Sequence, residues 1–316
     1  MNIEVQHALS IISPLVLVAL LGFICTKSEW LKRAQLEALS QFTFYIAIPA
    51  FLFLQMSNAD LSKHVSASLF AAFYLPVLLI YAMAWLANYL FHPQLNKQYA
   101  ASAVYALSVS YSNTIIVGLP LLLAAFGEQV VGIVFLIVTF HSTMLFSLTS
   151  ALSFHQQGPH WQKCRGRGFI KQTFNNPVIV SILLGLVFNL LGLDLPPMIA
   201  NTLTLVGEPA IALALFILGA SMTFYQVTKS IKFITVATLL KLLLLPTLVF
   251  VGAHYIFALE SMVTTVLVIL SASPTGVNAY LIAKSQGCHQ DTVAGTVVVS
   301  TLVSIVTLPF WLWFLS

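Results

Sequence analysis

The fold is decided by two stretches, Ser-Asn-Thr-Ile-Ile-Val-Gly-Leu-Pro at residues 112–120 and Ser-Ala-Ser-Pro-Thr-Gly-Val-Asn at residues 271–278. Each places proline, glycine, asparagine and hydroxyl residues near the centre of a segment that is otherwise apolar enough to cross a bilayer. Free backbone groups are costly in lipid, so such interruptions persist only where protein or a water-filled cavity satisfies them. Two interruptions in corresponding halves of a chain are typical of the binding site of a secondary transporter.

The composition places the chain in a membrane. Its 316 residues are 59 % hydrophobic and only 7 % charged, whereas a soluble domain is about 25 % charged. The net charge of +4 does not indicate nucleic-acid binding, because the basic residues fall in short loops. Cys25, Cys164 and Cys288 lack paired or metal-type spacing. There is no His-Glu-x-x-His motif and no glycine-rich nucleotide loop, so we expect no enzyme, no metal and no cofactor.

Ten segments are long enough to cross about 30 Å of hydrocarbon as helices. They are predicted at residues 7–26, 38–57, 66–91, 100–126, 129–153, 174–192, 198–224, 232–258, 261–284 and 291–315. All basic residues except Lys63 and Lys241 fall in the loops that follow odd-numbered segments. Positive residues stay on the cytoplasmic side. We therefore predict a multi-pass protein of the plasma membrane, the inner membrane of a bacterium, with both termini on the periplasmic side.

The two halves of the chain correspond to each other in inverted orientation. Matching features occur in the same order, namely Ile48-Pro49-Ala50 with Glu208-Pro209-Ala210, Pro76 with Pro246, and the first interruption with the second. An odd number of helices per half inserts the second half in the opposite sense. The predicted division is a first five-helix repeat at 1–153, a basic cytoplasmic linker at 154–173 and a second, inverted repeat at 174–316.

The two interruptions lie about 20 Å along oppositely directed segments, so they can meet near mid-bilayer. Pro120 and Pro274 each remove a backbone donor and free the carbonyl four residues earlier. The predicted helix-breaking residues are Gly118, Pro120 and Pro274, and the predicted substrate-binding residues are Asn113, Thr114, Thr275, Gly276 and Asn278. The half-helices that follow begin with unpaired N–H groups and partial positive charge, which suit an anion such as a carboxylate. The alternative is a pair of ordinary proline kinks that local Ser and Thr satisfy.

Two charged residues fall inside predicted helices. Lys241 lies about 13 Å into segment 8, where a lone charge costs roughly 3 kcal/mol on insertion scales. Either it extends to the cytoplasmic interface or pairs structurally, or it attracts an anion or takes part in gating. Glu208, next to Pro209, is either a candidate for proton coupling or a hydrogen-bonded glutamate at a kink. His141 is predicted to be hydrogen-bonded rather than to relay protons.

Several motifs resemble those of the auxin efflux carrier family, which includes the plant PIN carriers and bacterial permeases. The run from Asn113 to Leu122 is similar to the family element Asn-Thr-x-x-x-Gly-x-Pro-Leu-Leu. Three further stretches are similar to the bacterial branch, namely Pro274-Thr-Gly-Val-Asn-Ala-Tyr-Leu-Ile-Ala-Lys284, Asn176-Pro177 and Lys241-Leu-Leu-Leu-Leu-Pro246. The resemblance covers essentially the whole chain and is specific in combination, although each motif alone is loose.

The resemblance implies ten transmembrane helices in two inverted five-helix repeats, with broken helices 4 and 9 crossed, as in the bile-acid symporter and sodium/proton antiporter architecture. Segments 1, 2, 6 and 7 would form a scaffold, and segments 3–5 and 8–10 a domain that moves by an elevator mechanism. The implied substrates are small organic anions such as malonate, malate or auxin, held near Asn113 and Asn278. A homodimer through the scaffold, surrounded by membrane lipids, is also implied.

Two residues depart from the family pattern. Ser112 stands where many relatives have proline, which predicts a less sharp first break, and Glu208 stands where a neutral residue is expected. The leading interpretation is a secondary transporter of a small mono- or dicarboxylate. One alternative is a cation- or proton-coupled antiporter of the same fold without a carboxylate substrate. Another is a membrane sensor or assembly subunit that binds a ligand without moving it.

Overall fold

The computed structural model describes residues 2–58, 66–91, 98–153, 177–224 and 231–315. The predicted basic linker at 154–173 lies outside these residues, and so does Cys164. The division of the chain into repeats at 1–153 and 174–316 therefore stays a prediction.

Helices account for nearly all of the described chain. In chain order they are α1 (Asn2–Lys27), α2 (Arg33–Asn58), α3 (Ala67–Phe91), α4 (Gln98–Ser110), α5 (Leu119–Phe126), α6 (Val131–Ser153), α7 (Pro177–Leu190), α8 (Pro197–Phe224), α9 (Ile231–Ile256), α10 (Ser261–Ala272), α11 (Asn278–Gln286) and α12 (Gln290–Leu315). Within the described ranges the only strand-like pairing is a single antiparallel bridge between Ser112 and Thr275. The prediction of an all-helical protein is confirmed for this part of the chain.

Six helical stretches of the described chain are long and apolar enough to cross a membrane. They are α2, α3, the run Thr114–Ser153, α8, α9 and α12. Shorter apolar stretches of 10–17 residues lie in α1, α4, α7 and α10. Each of the ten predicted segments therefore contains helix, and a multi-pass membrane protein follows. The number of crossings and the inverted repeat remain predictions.

Three helical runs widen into a π turn shortly before a proline. The turns are Thr43–Ala47, Thr114–Gly118 and Leu240–Leu244, and the prolines are Pro49, Pro120 and Pro246. After each turn one N–H donates to the carbonyl five residues earlier, as Leu119 does to Thr114. Proline supplies no N–H and crowds the preceding turn, so the wider turn restores pairing just ahead of it. Such turns are frequent at functional sites. The turn Thr114–Gly118 directly follows Asn113, and the turn Leu240–Leu244 contains Lys241.

Helices α1 and α8 pack with their backbones in direct contact. A Cβ atom on Gly22 would lie 2.0 Å from the carbonyl oxygen of Phe216, and one on Gly219 would lie 1.7 Å from that of Ala19. Small residues permit this approach between membrane helices. Helix α2 packs on α7 and α8, and Gly185 of α7 also lies close to the α2 backbone, because its Cβ would be 2.8 Å from the Phe53 carbonyl oxygen. These four helices form one closely packed group.

The remaining helices pack around α4 and α10. Helix α4 contacts α3 and α6, while α10 contacts α6, α9 and α12. Every residue of α10 from Val263 to Ala272 is buried. Helix α1 also contacts α5 and α12, where the two groups meet. The two broken helices therefore lie at the centre of the second group, enclosed on several sides by protein.

Candidate substrate site at the helix crossing

Both interrupted segments break where they meet. The first helix ends at Ser110, and helical structure resumes at Thr114, so only residues 111–113 leave the helix. The second ends at Ala272 and resumes at Asn278. Pro274 therefore lies in its break, as predicted. The prediction that Gly118 and Pro120 break the first helix is wrong: the π turn has already restarted the helix, and Pro120 is the second residue of α5.

Backbone hydrogen bonds join the two breaks directly. The N–H of Asn113 donates to the carbonyl of Pro274 at 2.8 Å, and the N–H of Gly276 donates to the carbonyl of Tyr111 at 3.0 Å. Ser112 and Thr275 thus form a short antiparallel bridge. Each break satisfies part of the other, which is the condition for non-helical backbone to exist inside an apolar interior.

Two side chains from neighbouring helices satisfy the central N–H groups of the breaks. The N–H of Ser112 donates to Nε2 of His141 in α6 at 3.0 Å, and the N–H of Thr275 donates to Oγ of Ser300 in α12 at 3.0 Å. The contact with His141 takes the Ser112 N–H out of the helix ladder although Ser112 is not a proline. The expectation that Ser112 makes the first break less sharp stays a prediction. The predicted hydrogen-bonded role of His141 agrees with this contact.

Two carbonyls at the helix ends accept side-chain donors instead of backbone. Thr275 Oγ1 donates to the Ser108 carbonyl at the end of α4 at 2.8 Å. Lys241 Nζ donates to the Ser271 carbonyl at the end of α10 at 2.5 Å and to Ser112 Oγ at 2.8 Å. A cation is favourable at a helix C-terminus, where carbonyls are unpaired and the dipole is negative.

Lys241 is buried at the crossing and does not reach the surface. Its exposed fraction is 0 %, so the alternative in which it extends to the cytoplasmic interface is wrong. Among the residues that the structure describes, it is the one buried side chain of the types that carry charge at neutral pH. The described ion pairs do not include it. The Lys241 amino group therefore contacts the two breaks through neutral oxygen atoms.

The two predicted asparagine ligands differ in their surroundings. Asn113 is only 5 % exposed, and its Nδ2 has no hydrogen-bond partner in the described part of the protein. Asn278 is exposed at the start of α11, with Nδ2 3.5 Å from the hydroxyl oxygen of Tyr111. A buried amide donor without a partner is costly. The Asn113 amide therefore needs an acceptor that a ligand could supply. Nδ1 of His141 is a second buried atom at the crossing without a partner in the described part of the protein.

The other predicted site residues line the breaks closely. Thr114 is buried in the π turn, while the hydroxyl and N–H of Thr275 are already used as described above. A Cβ on Gly276 would lie 2.3 Å from Cε1 of Tyr111, and one on Gly118 would lie 2.9 Å from Oγ of Ser273. Gly276 is thus required by the close approach of the Tyr111 ring rather than by a special backbone angle, whereas the atoms nearest to Gly118 are the ends of side chains that can shift.

Glu208 does not take part in the crossing. It is exposed at the bend of α8, with its N–H donating to the Thr204 carbonyl at 2.8 Å. The described residues that bond to the two breaks do not include it. Within the described chain no cluster of three or more His, Cys, Asp or Glu residues has the arrangement of a metal site.

Several residues of this arrangement escaped the sequence analysis. Tyr111, Ser142 and Ser300 carry hydrogen bonds of the crossing. Tyr111 directly precedes the first predicted interruption, and Ser142 and Ser300 lie in other predicted segments. The available signal was a polar side chain inside an otherwise apolar segment. That signal is weak in this chain, because many such Ser and Thr residues bond only to their own helix, as Thr296 and Thr301 do.

Known proteins resemble this chain along nearly its full length. The family described as "Membrane transport protein" matches residues 7–160 and 166–312. An uncharacterized transporter from Methanothermobacter thermautotrophicus is 27 % identical over 96 % of each chain. Auxin efflux carrier component 8 from Arabidopsis thaliana is 23 % identical over 96 % of each chain. A putative malonate transporter from Rhizobium meliloti is 22 % identical over 85 % of this chain and 83 % of its own. This chain therefore belongs to the auxin efflux carrier family of membrane transport proteins.

Proposed function

We propose that this protein is a secondary transporter that moves a small organic anion, a mono- or dicarboxylate, across the plasma membrane. The observation that carries the proposal is the unpartnered, buried Asn113 amide at a crossing that also holds a buried lysine. A carboxylate supplies acceptor oxygens and negative charge together, so it would satisfy the amide and balance the ammonium of Lys241. Neither a neutral ligand nor a cation would do both.

The helix ends around the crossing favour the same ligand. The turn after Asn113 and helix α11 after Val277 both begin at the breaks, and N-terminal helix ends offer N–H donors and partial positive charge. The opposite ends, those of α4 and α10, are occupied by Thr275 and Lys241. An anion is therefore the ligand that the remaining unpaired helix ends select.

Elevator-type alternating access is part of the proposal. Helices α1, α2, α7 and α8 pack closely through glycines, as expected for a rigid scaffold. Helices α3 to α6 and α9 to α12 form and surround the crossing. This is expected for a transport unit that moves as one body and carries the substrate at the crossing. The two breaks are braced in the same way, each by a side chain from the second helix after it. His141 of α6 braces the first break and Ser300 of α12 braces the second, and this correspondence supports the inverted repeat.

The assembly and membrane orientation follow the same proposal. We propose a homodimer through the scaffold helices in the lipid bilayer, with both termini on the periplasmic side of a bacterial inner membrane. The basis for the orientation is the excess of lysine and arginine in the loops after odd-numbered segments.

The substrate class is inferred from chemistry and from the names of two relatives. One relative is called an auxin efflux carrier and another a putative malonate transporter. Auxin is a monocarboxylate and malonate a dicarboxylate, so the shared chemistry is the carboxylate group. We therefore propose a carboxylate without choosing between these two. The antiporter alternative is less well supported, because its acidic candidate Glu208 is exposed and does not bond to the crossing.

The proposal is tested by a thermal-shift screen of the purified protein against mono- and dicarboxylates, beside the variant Asn113→Ala. A ligand at a hundredfold excess over its Kd stabilises the folded state by about 2.7 kcal/mol. Stabilisation by a carboxylate that is lost in the variant is the expected result. Counterflow of the same carboxylate in proteoliposomes then separates transport from binding alone. A response to sodium or pH, with none to any carboxylate, would support the antiporter instead.

A further inference from the structure

Tyr111 is the last residue before the bridged part of the first break, and its side chain reaches the second break. The ring lies against Gly276, where a Cβ atom would be 2.3 Å from Cε1. The hydroxyl oxygen is 2.9 Å from Oγ of Ser142 in α6 and 3.5 Å from Nδ2 of Asn278 in α11. One side chain thus connects both breaks and the helix beside them.

The ring of Tyr111 is held in one orientation. It stacks on His141 with ring centres 5.2 Å apart and planes at 11°, and it contacts Phe146 with ring centres 4.9 Å apart. Its exposed fraction is 6 %, so little of the ring is available to a ligand. Its backbone carbonyl is also fixed by the Gly276 N–H at 3.0 Å. The position of the hydroxyl is therefore set by packing on all sides.

The hydrogen-bond directions at the hydroxyl follow from the groups involved. The amide nitrogen of Asn278 can only donate, so the Tyr111 oxygen is the acceptor there. The hydroxyl proton of Tyr111 is then free to be donated to Ser142 Oγ. Asn278 is otherwise exposed, and an exposed asparagine has several rotamers of similar energy. Contact with a fixed hydroxyl selects among these.

We infer that Tyr111 is a positioning residue of the substrate site: its hydroxyl, held by Ser142, orients the amide of Asn278 so that both asparagines face one carboxylate. The inference rests on the proposed function. It assigns the two asparagines different tasks, since the Asn113 amide has no protein partner and depends on the ligand, whereas the Asn278 amide is oriented before the ligand arrives. Orienting a binding group in advance lowers the cost of binding.

The test measures uptake of malonate and of indole-3-acetate into proteoliposomes by Tyr111→Phe and Ser142→Ala. The first variant keeps the ring and removes the hydroxyl, and the second keeps Tyr111 and removes the group that holds it. We expect KM to rise about fivefold to tenfold in Tyr111→Phe, the effect of roughly one hydrogen bond, with kcat within about twofold. Ser142→Ala should change KM in the same direction by less.

The matched control is Tyr81→Phe, which removes an equally buried hydroxyl that bonds to Thr149 at 2.9 Å and to the Ala103 carbonyl at 3.2 Å, remote from the breaks. We expect its KM to stay unchanged. The double variant Tyr111→Phe with Asn278→Ala should have the KM of Asn278→Ala alone, because Tyr111 acts through Asn278. A purely structural role would instead lower kcat or thermal stability in both backgrounds.

The outcomes separate this inference from the proposed function. The role of Tyr111 would be overturned by an unchanged KM in Tyr111→Phe, or by a double variant whose KM reflects the product of the two single effects. Loss of uptake in Asn113→Ala would still uphold the carboxylate site in that case. Normal uptake in Asn113→Ala, or no uptake of either probe by the unaltered protein, would overturn the proposed function and this inference with it. If Tyr111→Phe fails to fold, a normal KM in Ser142→Ala overturns the inference.

Discussion

In the first break the chain leaves the helix for residues 111–113 and continues into a π turn, whereas in the second it leaves the helix for residues 273–277 around Pro274. In both breaks the central N–H donates to a side chain on a neighbouring helix. The backbone groups on either side of it form hydrogen bonds with the other break. They differ in the asparagine at the end of each break. Asn113 is buried without a partner for its amide nitrogen, while Asn278 is exposed and close to Tyr111.

The contrast between Asn113 and Asn278 shows that a pair of similar sequence elements need not supply similar ligands. The backbone scheme is shared because any helix break in an apolar interior must satisfy the same N–H and carbonyl groups. The side chains are not bound by that requirement, so they can diverge. The first break leaves a donor for a ligand, and the second holds its donor in place.

The largest expected effect separates the two asparagines. Asn113→Ala should reduce carboxylate uptake by about tenfold to a hundredfold, because a hydrogen bond to a charged group contributes about 1.5–3 kcal/mol. Asn278→Ala should reduce uptake less, since its amide is exposed and shared with Tyr111. Initial uptake rates in proteoliposomes measure both, and expression in the membrane fraction is the control. Equal losses in the two variants would mean that the breaks are equivalent.

The next effect concerns the cation that both breaks share. Lys241→Met keeps a long side chain and removes the ammonium from Ser112 and from the Ser271 carbonyl. We expect uptake to fall by about tenfold, because an anion at the crossing loses its nearby positive charge, while the variant still inserts.

Lys232→Met is the matched control on the same helix, because Lys232 is exposed. Its uptake should stay within about twofold of the unaltered protein, since an isolated surface charge contributes little. Similar losses in the two variants would indicate an effect of net charge or insertion rather than of the crossing.

A smaller effect probes how closely the breaks approach each other. Gly276→Ala places a Cβ 2.3 Å from Cε1 of Tyr111, and such overpacking typically costs about 1–3 kcal/mol. Thermal unfolding in detergent should show the loss. In the control Gly252→Ala, the new Cβ would meet its nearest atom, the Ala72 carbonyl oxygen, at 3.5 Å, so no loss of stability is expected. A stable Gly276→Ala would show that the two breaks can separate easily.

A loss of stability of similar size tests the side chains that brace the breaks. Ser300→Ala leaves the buried N–H of Thr275 without its acceptor, which costs about 1–3 kcal/mol when no water replaces it. Ser300→Thr retains a hydroxyl and should remain near the stability of the unaltered protein. Melting temperatures of the two variants give the comparison, and equal values would indicate that water takes the place of the Ser300 hydroxyl.

The sequence alone determined the class of the protein, the helical segments and the two interruptions. These follow from local chemistry: apolar runs of membrane length must be helical, and proline, glycine and asparagine weaken the helix wherever they fall. It also placed Asn113, Pro274 and Asn278 at the breaks. It was wrong about Gly118 and Pro120, because a π turn absorbs the missing N–H of Pro120 and restarts the helix earlier.

Only the tertiary structure decided which groups meet. Lys241 bonds to Ser112 across 129 residues, and Asn278 approaches Tyr111 across 167. From sequence, Lys241 had two outcomes of comparable cost, reaching the interface or staying inside. The choice depended on whether unpaired carbonyl and hydroxyl oxygens lay within reach of its ammonium, and helix packing sets that distance. The same holds for Ser300 and Tyr111, since hydrogen bonds between distant residues depend on how helices cross rather than on the residues beside them.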